Sequence, residues 1–231
     1  DRITTATIHD RDPFVYLESH VENASGEPVA FDQIRVADLV FESPEGADAS
    51  KWSTLGSGGM KPAGTPENSF AYYAVADVAS RNGAVCAWLT QQRGLGTMVP
   101  VFKDGQLRVG AELEFGNLRI QPNQARETDT LVIGFFSDVR LGLERFADEV
   151  AQTYAIHLKP KPDVFCTWYA RRHSADGAST EDALAVNAAF AKKHLQPFGL
   201  NVFQIDDHWQ ADSHSKSTVD ENLDKGPIKI F

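Results

Sequence analysis

The sequence predicts two parts of different class: a β-sandwich over residues 1–137 and the opening of an α/β domain over residues 163–231, joined by a helix and linker over residues 138–162. Three observations predict this. Short segments of alternating or β-branched character recur through residues 1–136, separated by turn signals. Near residue 138 the apolar spacing changes from every second residue to every third or fourth. After a proline-rich break, one strand–helix–strand pattern follows.

In the first part the predicted strands are 14–21, 29–40, 70–78, 84–90, 110–115 and 131–136. Turns are marked by Asn-Ala-Ser-Gly at 23–26, Ser-Pro-Glu-Gly at 43–46, Gly-Ser-Gly-Gly at 56–59, Arg-Asn-Gly at 81–83 and Lys-Asp-Gly at 103–105. Many short strands with few helix signals point to a sandwich. Gly-Ser-Gly-Gly invites a phosphate-loop reading, but it lacks the Gly-Lys-Ser/Thr ending and no helical pattern follows, so it reads as a turn. Trp52 and Trp88 read as core or loop-packing residues.

Leu143, Phe146, Val150 and Tyr154 then recur at helical spacing, with Asp138 placed as the N-cap. Lys-Pro-Lys-Pro at 159–162 breaks the helix and puts the domain boundary at about residue 160. Residues 164–169 read as a strand. Ser-Thr-Glu-Asp at 179–182 matches a capping box. Leu184, Ala188, Ala191 and Leu195 keep a helical face that Val186 and Phe190 widen, and Pro197 and Gly199 stop it. Residues 200–205 form the second strand. Such a run implies parallel strands joined by a right-handed crossover. One unit cannot close a barrel or cover both faces of a sheet. The chain therefore reads as a complete β-domain followed by the first quarter of an α/β domain, with residues 211–226 as a polar loop.

A hydrophobic content of 42% supports a sizeable core, and the net charge of −10 argues against a nucleic-acid surface. Arg171-Arg172 and Lys192-Lys193 read as solvated pairs. No run approaches the roughly 18 apolar residues of a membrane span, so no membrane partner is expected. The chain opens on Asp1 without a signal-like segment, as a mature product or a fragment would. Cys86 and Cys166 read as buried free thiols, although pairing stays open. Compartment and homo-oligomerisation are left undecided, and no cofactor is expected.

In parallel α/β architectures functional groups stand at the C-terminal ends of strands. The first such end offers Trp168 and Tyr169, then Arg171, Arg172 and His173; the second offers Asp206, Asp207, His208 and Trp209. Adjacent carboxylates accept hydrogen bonds from hydroxyls, and a flat ring packs on the C–H face of a sugar. The two acids of a glycosidase flank the scissile bond, about 5–5.5 Å apart in retaining enzymes and about 6.5–9.5 Å in inverting ones. Sequence neighbours sit on one side of a ligand, so Asp206 and Asp207 fit the binding of adjacent hydroxyls. The plainer alternative is that one caps the next element and the other is solvated. Asp206, Asp207, His208 and His214 lack a recognised metal-ligand spacing, and no metal is expected. Cys166 reads as a packed thiol, and Arg171, Arg172 and His173 as a solvated loop.

Taken together, Val-Phe-Cys-Thr-Trp-Tyr at 164–169, the helix ending Leu-Gln-Pro-Phe-Gly at 195–199 and Phe-Gln-Ile-Asp-Asp-His-Trp-Gln at 203–210 resemble the α-galactosidases of glycoside hydrolase family 36 and its clan. Gly-Pro-Ile-Lys-Ile-Phe at 226–231 is similar to a Gly-Pro-Lys-Lys-x-Phe piece of such enzymes. The motif-level resemblance covers residues 164–231; the first part agrees in general character. The resemblance implies an N-terminal β-supersandwich, a connecting helix and the start of a (β/α)8 barrel, truncated after about its second strand. It implies a retaining glycoside hydrolase acting on terminal α-galactosides or related α-glycosides, with an oligosaccharide or glycoside as partner. Asp206 and Asp207 would hold the axial O4 and the O6 of the terminal sugar, Trp168 would line the same subsite, and Trp209 would support the rim. His208 stands where the family often has Gly or Cys, which bears on the sugar preferred. The family's nucleophile and acid/base follow the fourth and sixth strands, so no catalytic residue is expected in this chain, and the chain alone is expected to be inactive. A non-catalytic carbohydrate-binding protein and a galactosyl transferase of the same fold are the alternatives.

Overall fold

The structure is a computed structural model that describes residues 1–10, 12–42, 51–104, 106–170 and 181–206. It divides into two compact units, Asp1–His157 and Leu158–Phe231.

The first unit contains β1 (Arg2–Ile8), β2 (Phe14–Glu22), β3 (Val29–Phe41), β4 (Trp52–Gly56), β5 (Gly59–Pro62), β6 (Ser69–Phe70), β7 (Tyr72–Asp77), β8 (Gly83–Trp88), β9 (Leu95–Lys103), β10 (Gln106–Ile120), β11 (Ala125–Glu127), β12 (Leu131–Phe136) and helix α1 (Val139–Thr153). Among the described residues, eight strands form one sheet in the order β1-β2-β12-β8-β7-β4-β5, with β11 also on β2, and four form a second in the order β3-β10-β9-β6. The pairings are antiparallel. The two sheets enclose a core in which Val36, Trp52, Val75, Cys86, Trp88, Met98, Leu107, Val109, Leu113 and Leu131 come together. This is the sandwich that the alternation predicts: one set of alternate residues is removed from water between the sheets. Trp52 and Trp88 are core residues, and Gly96 lies so close to the Trp88 indole that an added Cβ would clash with it.

The opposite face of the large sheet is also buried. Phe14, Ala74, Val85, Ala87 and Val132 pack under Val139, Leu143, Phe146 and Val150 of α1. The side chain of Asp138 caps α1 by accepting the Arg140 backbone N–H at 3.1 Å. The Tyr154 hydroxyl, at the C-cap, accepts the Gln91 N–H at 3.1 Å. Inside the helix, Glu149 takes the Arg145 guanidinium at 2.8 Å and stands 3.0 Å from the Tyr16 hydroxyl, which lies 2.6 Å from Asp12. Burial, and then these two carboxylates, push the Tyr16 phenol well above its ordinary range.

Side-chain hydrogen bonds close the loops. The Asn23 amide donates to the carbonyls of Glu27 and Ile120, each at 2.9 Å. Asp129, fully buried, accepts from Thr90 Oγ1 at 2.9 Å and from the backbone N–H groups of Gln92, Arg93 and Gly94 at 2.9, 3.0 and 2.9 Å. Gly56 pairs with Gly59, leaving Ser57 and Gly58 as a two-residue hairpin turn. The expected strand at 70–78 is two strands in different sheets: Ala71 has a φ of 66° and turns the chain from β6 to β7. β10 is longer than predicted, and register shifts within its pairing with β3 bend it past Gly116.

The second unit contains β13 (Asp163–Cys166), a 3-10 turn (Thr167–Ala170), helix α2 (Glu181–His194), a 3-10 turn (Gln196–Phe198) and β14 (Leu200–Gln204). β13 and β14 are parallel, with Val164 opposite Val202, Phe165 opposite Phe203 and Cys166 opposite Gln204. The rings of Phe165 and Phe203 stack at 4.8 Å. Glu181 and Asp182 open α2 and Lys192, Lys193 and His194 close it, both matching the helix dipole. Ser179 and Thr180 of the expected capping box lie outside the described residues. Ala191 is buried, but Val186 and Phe190 are 69% and 57% exposed, so they do not widen the buried face. Gly199, at a φ of 109°, ends the second turn in the left-handed region and sends the chain into β14. Among the described residues the second unit is one strand–helix–strand unit with no third strand. No helix among them is long and apolar enough to cross a membrane.

Candidate functional site

The C-terminal ends of β13 and β14 lie side by side because Cys166 and Gln204 are the last pair in their register. Beyond that pair one chain turns into the 3-10 helix and the other continues through Ile205 to Asp206. Alternation along β14 puts Gln204 and Asp206 on one face. Gln204 Nε2 lies 3.2 Å from Asp206 Oδ2, and Cys166 Sγ lies 3.4 Å from the same oxygen. The buried Thr167 hydroxyl accepts the Asp206 backbone N–H at 2.8 Å. Among the described residues Thr167, Cys166 and Gln204 thus fix this carboxylate, and a carboxylate is a strong acceptor for ligand hydroxyls.

An open groove of about 530 Å³ runs beside it, lined by Val164, Phe165, Cys166, Tyr169, Gln204 and Asp206. Tyr169, which lines it, is 86% exposed, and Trp168, beside Tyr169 in the same 3-10 turn, is 45% exposed. Large rings open to water next to a carboxylate offer a stacking face and a hydrogen-bond acceptor together, the combination that a pyranose takes.

The structure thus brings Asp206 next to the strand end that carries Trp168. The other expected residues of the rim, Asp207, His208 and Trp209, lie outside the described residues, as do Arg171, Arg172, His173 and His214. Thr167 and Gln204 belong to the site and were not picked out from the sequence; Tyr169 was offered with Trp168 at the first strand end but given no binding role. The signal for Gln204 was present in its two-residue spacing from Asp206. Thr167 carries no such signal, because its bond is to a backbone N–H. Cys86 and Cys166 are both free thiols. Cys86 is fully buried, and burial pushes its thiol up to about 12. Among the described residues no group of three or more His, Cys, Asp or Glu is placed to hold a metal ion.

Another groove, in the first unit, is lined by Phe41, Trp52, Phe135 and Phe136 with Asp77 at its edge. The Asp77 carboxylate is taken by the Ser80 hydroxyl at 2.6 Å and by the N–H groups of Ser80 and Ala79 at 3.1 and 3.2 Å, which lowers its pKa. That acid closes its own turn.

No protein-family model matches the chain, and no curated protein matches it in sequence. Solved structures do match in fold. A glycoside hydrolase family 36 α-galactosidase, AgaA from Geobacillus stearothermophilus, in complex with stachyose, aligns over 92% of this chain and 32% of its own, with a TM-score of 0.52 and 16% identity. The galactosidase domain of an α-galactosidase–sucrose kinase, AgaSK, aligns over 91% of this chain and 31% of its own, at TM-score 0.52 and 10% identity. The α-galactosidase from Lactobacillus brevis aligns over 91% and 30%, at TM-score 0.50 and 14% identity. This chain spans about a third of the length of each, and the likeness is one of fold.

Proposed function

We propose that this chain belongs to a retaining glycoside hydrolase acting on terminal α-galactosides or related α-glycosides, and that it supplies part of the sugar-binding rim of that enzyme. The carrying observation is Asp206, fixed by Thr167, Cys166 and Gln204 just past the end of a parallel strand, in a groove that the exposed Tyr169 also lines. The fold shared with α-galactosidases supports the reading. In it, β13, α2 and β14 are the first elements of a (β/α)8 barrel, whose sites stand at the C-terminal ends of its strands.

Asp206 and Asp207 accept hydrogen bonds from neighbouring hydroxyls of the terminal sugar, and Trp168 lines that subsite. His208 either narrows it or adds a hydrogen bond to the sugar, and Trp209 supports its edge. Adjacent acids on one side of the sugar cannot serve as the opposed pair that cleaves it, so the nucleophile and the acid/base come from other strands. This chain by itself binds without cleaving.

Asp206→Ala in the intact enzyme should lower kcat/KM on an aryl α-galactoside at least tenfold, since a hydrogen bond to a charged group is worth about 1.5–3 kcal/mol. Near-normal turnover of that variant, or hydrolysis by the 231-residue chain alone, refutes the proposal.

A further inference from the structure

In the second unit the most deeply buried described residue is polar. Thr167 is 1% exposed, while Val164, Trp168, Tyr169 and Ile205 around the same strand ends are open to solvent. A hydroxyl buried in that way costs free energy unless it is bonded. It accepts the backbone N–H of Asp206 at 2.8 Å. Thr167 is the first residue past β13 and Asp206 the second past β14, so the bond joins the two chains beyond their last register pair. It acts where the sheet's own ladder has ended and Asp206 would otherwise follow a loop.

The contacts below it have the same direction. Cys166 and Gln204, that last pair, both approach Oδ2 of Asp206. The carboxylate is therefore fixed twice, at its backbone by Thr167 and at one oxygen by the layer beneath.

We propose that Thr167 is a positioning residue: by holding the Asp206 backbone N–H it sets the direction in which the Asp206 carboxylate meets a sugar hydroxyl. This rests on the sugar-binding role of Asp206 proposed above. Valine keeps the shape of threonine and removes the acceptor, while serine keeps the acceptor.

The test is steady-state kinetics of the intact enzyme on 4-nitrophenyl α-galactoside, with galactose as competing ligand. Thr167→Val should lower kcat/KM and galactose affinity by roughly tenfold each, the scale of one hydrogen bond with its partner left buried. Thr167→Ser should stay within about threefold of the parent, its acceptor being intact. On top of Asp206→Ala, Thr167→Val should cost nothing more, because the two act through one contact. Normal rates for Asp206→Ala would remove the reading of the site itself. A collapse for Asp206→Ala with parental rates for Thr167→Val, or with an undiminished further loss in the double variant, would overturn the positioning role alone. If Thr167→Val yields no folded enzyme, Thr167→Ala and Thr167→Ser carry the comparison: a serine variant roughly tenfold more active than the alanine variant supports the role, and equal activities overturn it.

Discussion

Asp129 has no solvent exposure, and its two oxygens take four hydrogen bonds from the loop that joins β8 to β9. Three of the donors are backbone N–H groups that the strand ladders cannot satisfy. Asp129→Ala should therefore destabilise the first unit by about 3 kcal/mol, as donors lose an ionised acceptor inside the protein. Urea unfolding measures this, and a loss below about 1 kcal/mol would show that water replaces the carboxylate. Asp129 was not legible beforehand: it follows a threonine in an unremarkable stretch, and backbone donors leave no mark in a sequence. Asp206 was legible because it stands beside a second acid at the end of an apolar strand. Thr167 shares the invisibility of Asp129 for the same physical reason.

Helix α1 was legible from end to end, since its apolar spacing and the Asp138 cap agree with its burial against the large sheet. The cap makes the helix pH-sensitive. Hydrogen bonds from the Arg140 side chain, then from its backbone N–H, together with the charges of Arg140 and Arg81, hold the Asp138 carboxyl well below the ordinary carboxylate range. A depressed carboxylate stabilises the native state above its unfolded pKa, near 4, and loses that contribution as pH falls through its folded value. Asp138→Ala should lower Tm at pH 7, and the gap to the parent should close as pH drops below about 4. Thermal melts of both proteins at pH 7 and at acidic pH decide it; a gap that stays constant would place the effect in packing. The strands were less legible. Ala71 divides one apparent strand between two sheets through a positive φ, which alternation cannot reveal in an alanine. β1, β4, β5 and β11 were missed because polar, glycine-containing or very short segments pair through the backbone as well as apolar ones do, and β9 because Pro100 interrupts its apolar run. In α2 the pattern marked Val186 and Phe190 as inward, but periodicity registers apolar character and not what covers it.

The two units differ in how far each buries its own apolar residues. The first closes a core between two sheets and a second layer under α1. In the second, Val164, Tyr169, Phe190 and Phe198 are exposed, and Thr167 and Ala191 are the buried positions among the described residues. A chain of residues 1–157 should unfold cooperatively in urea with a single transition, whereas residues 158–231 alone should show none. A cooperative transition in the shorter piece would mean that it holds a core of its own. The division of the sequence near residue 160 was readable because periodicity changes there. The sheet order was not, because it depends on pairings between distant strands. The place of β12 has a consequence for how the protein is made. It is the last strand of the sandwich to be synthesised, yet it lies between β2 and β8 and bonds to both. Until residue 136 leaves the ribosome, the strands on either side have no common neighbour, and their open edges must be kept from other chains. The large sheet therefore closes in one late step around its newest strand, with the high contact order and slow folding which that entails.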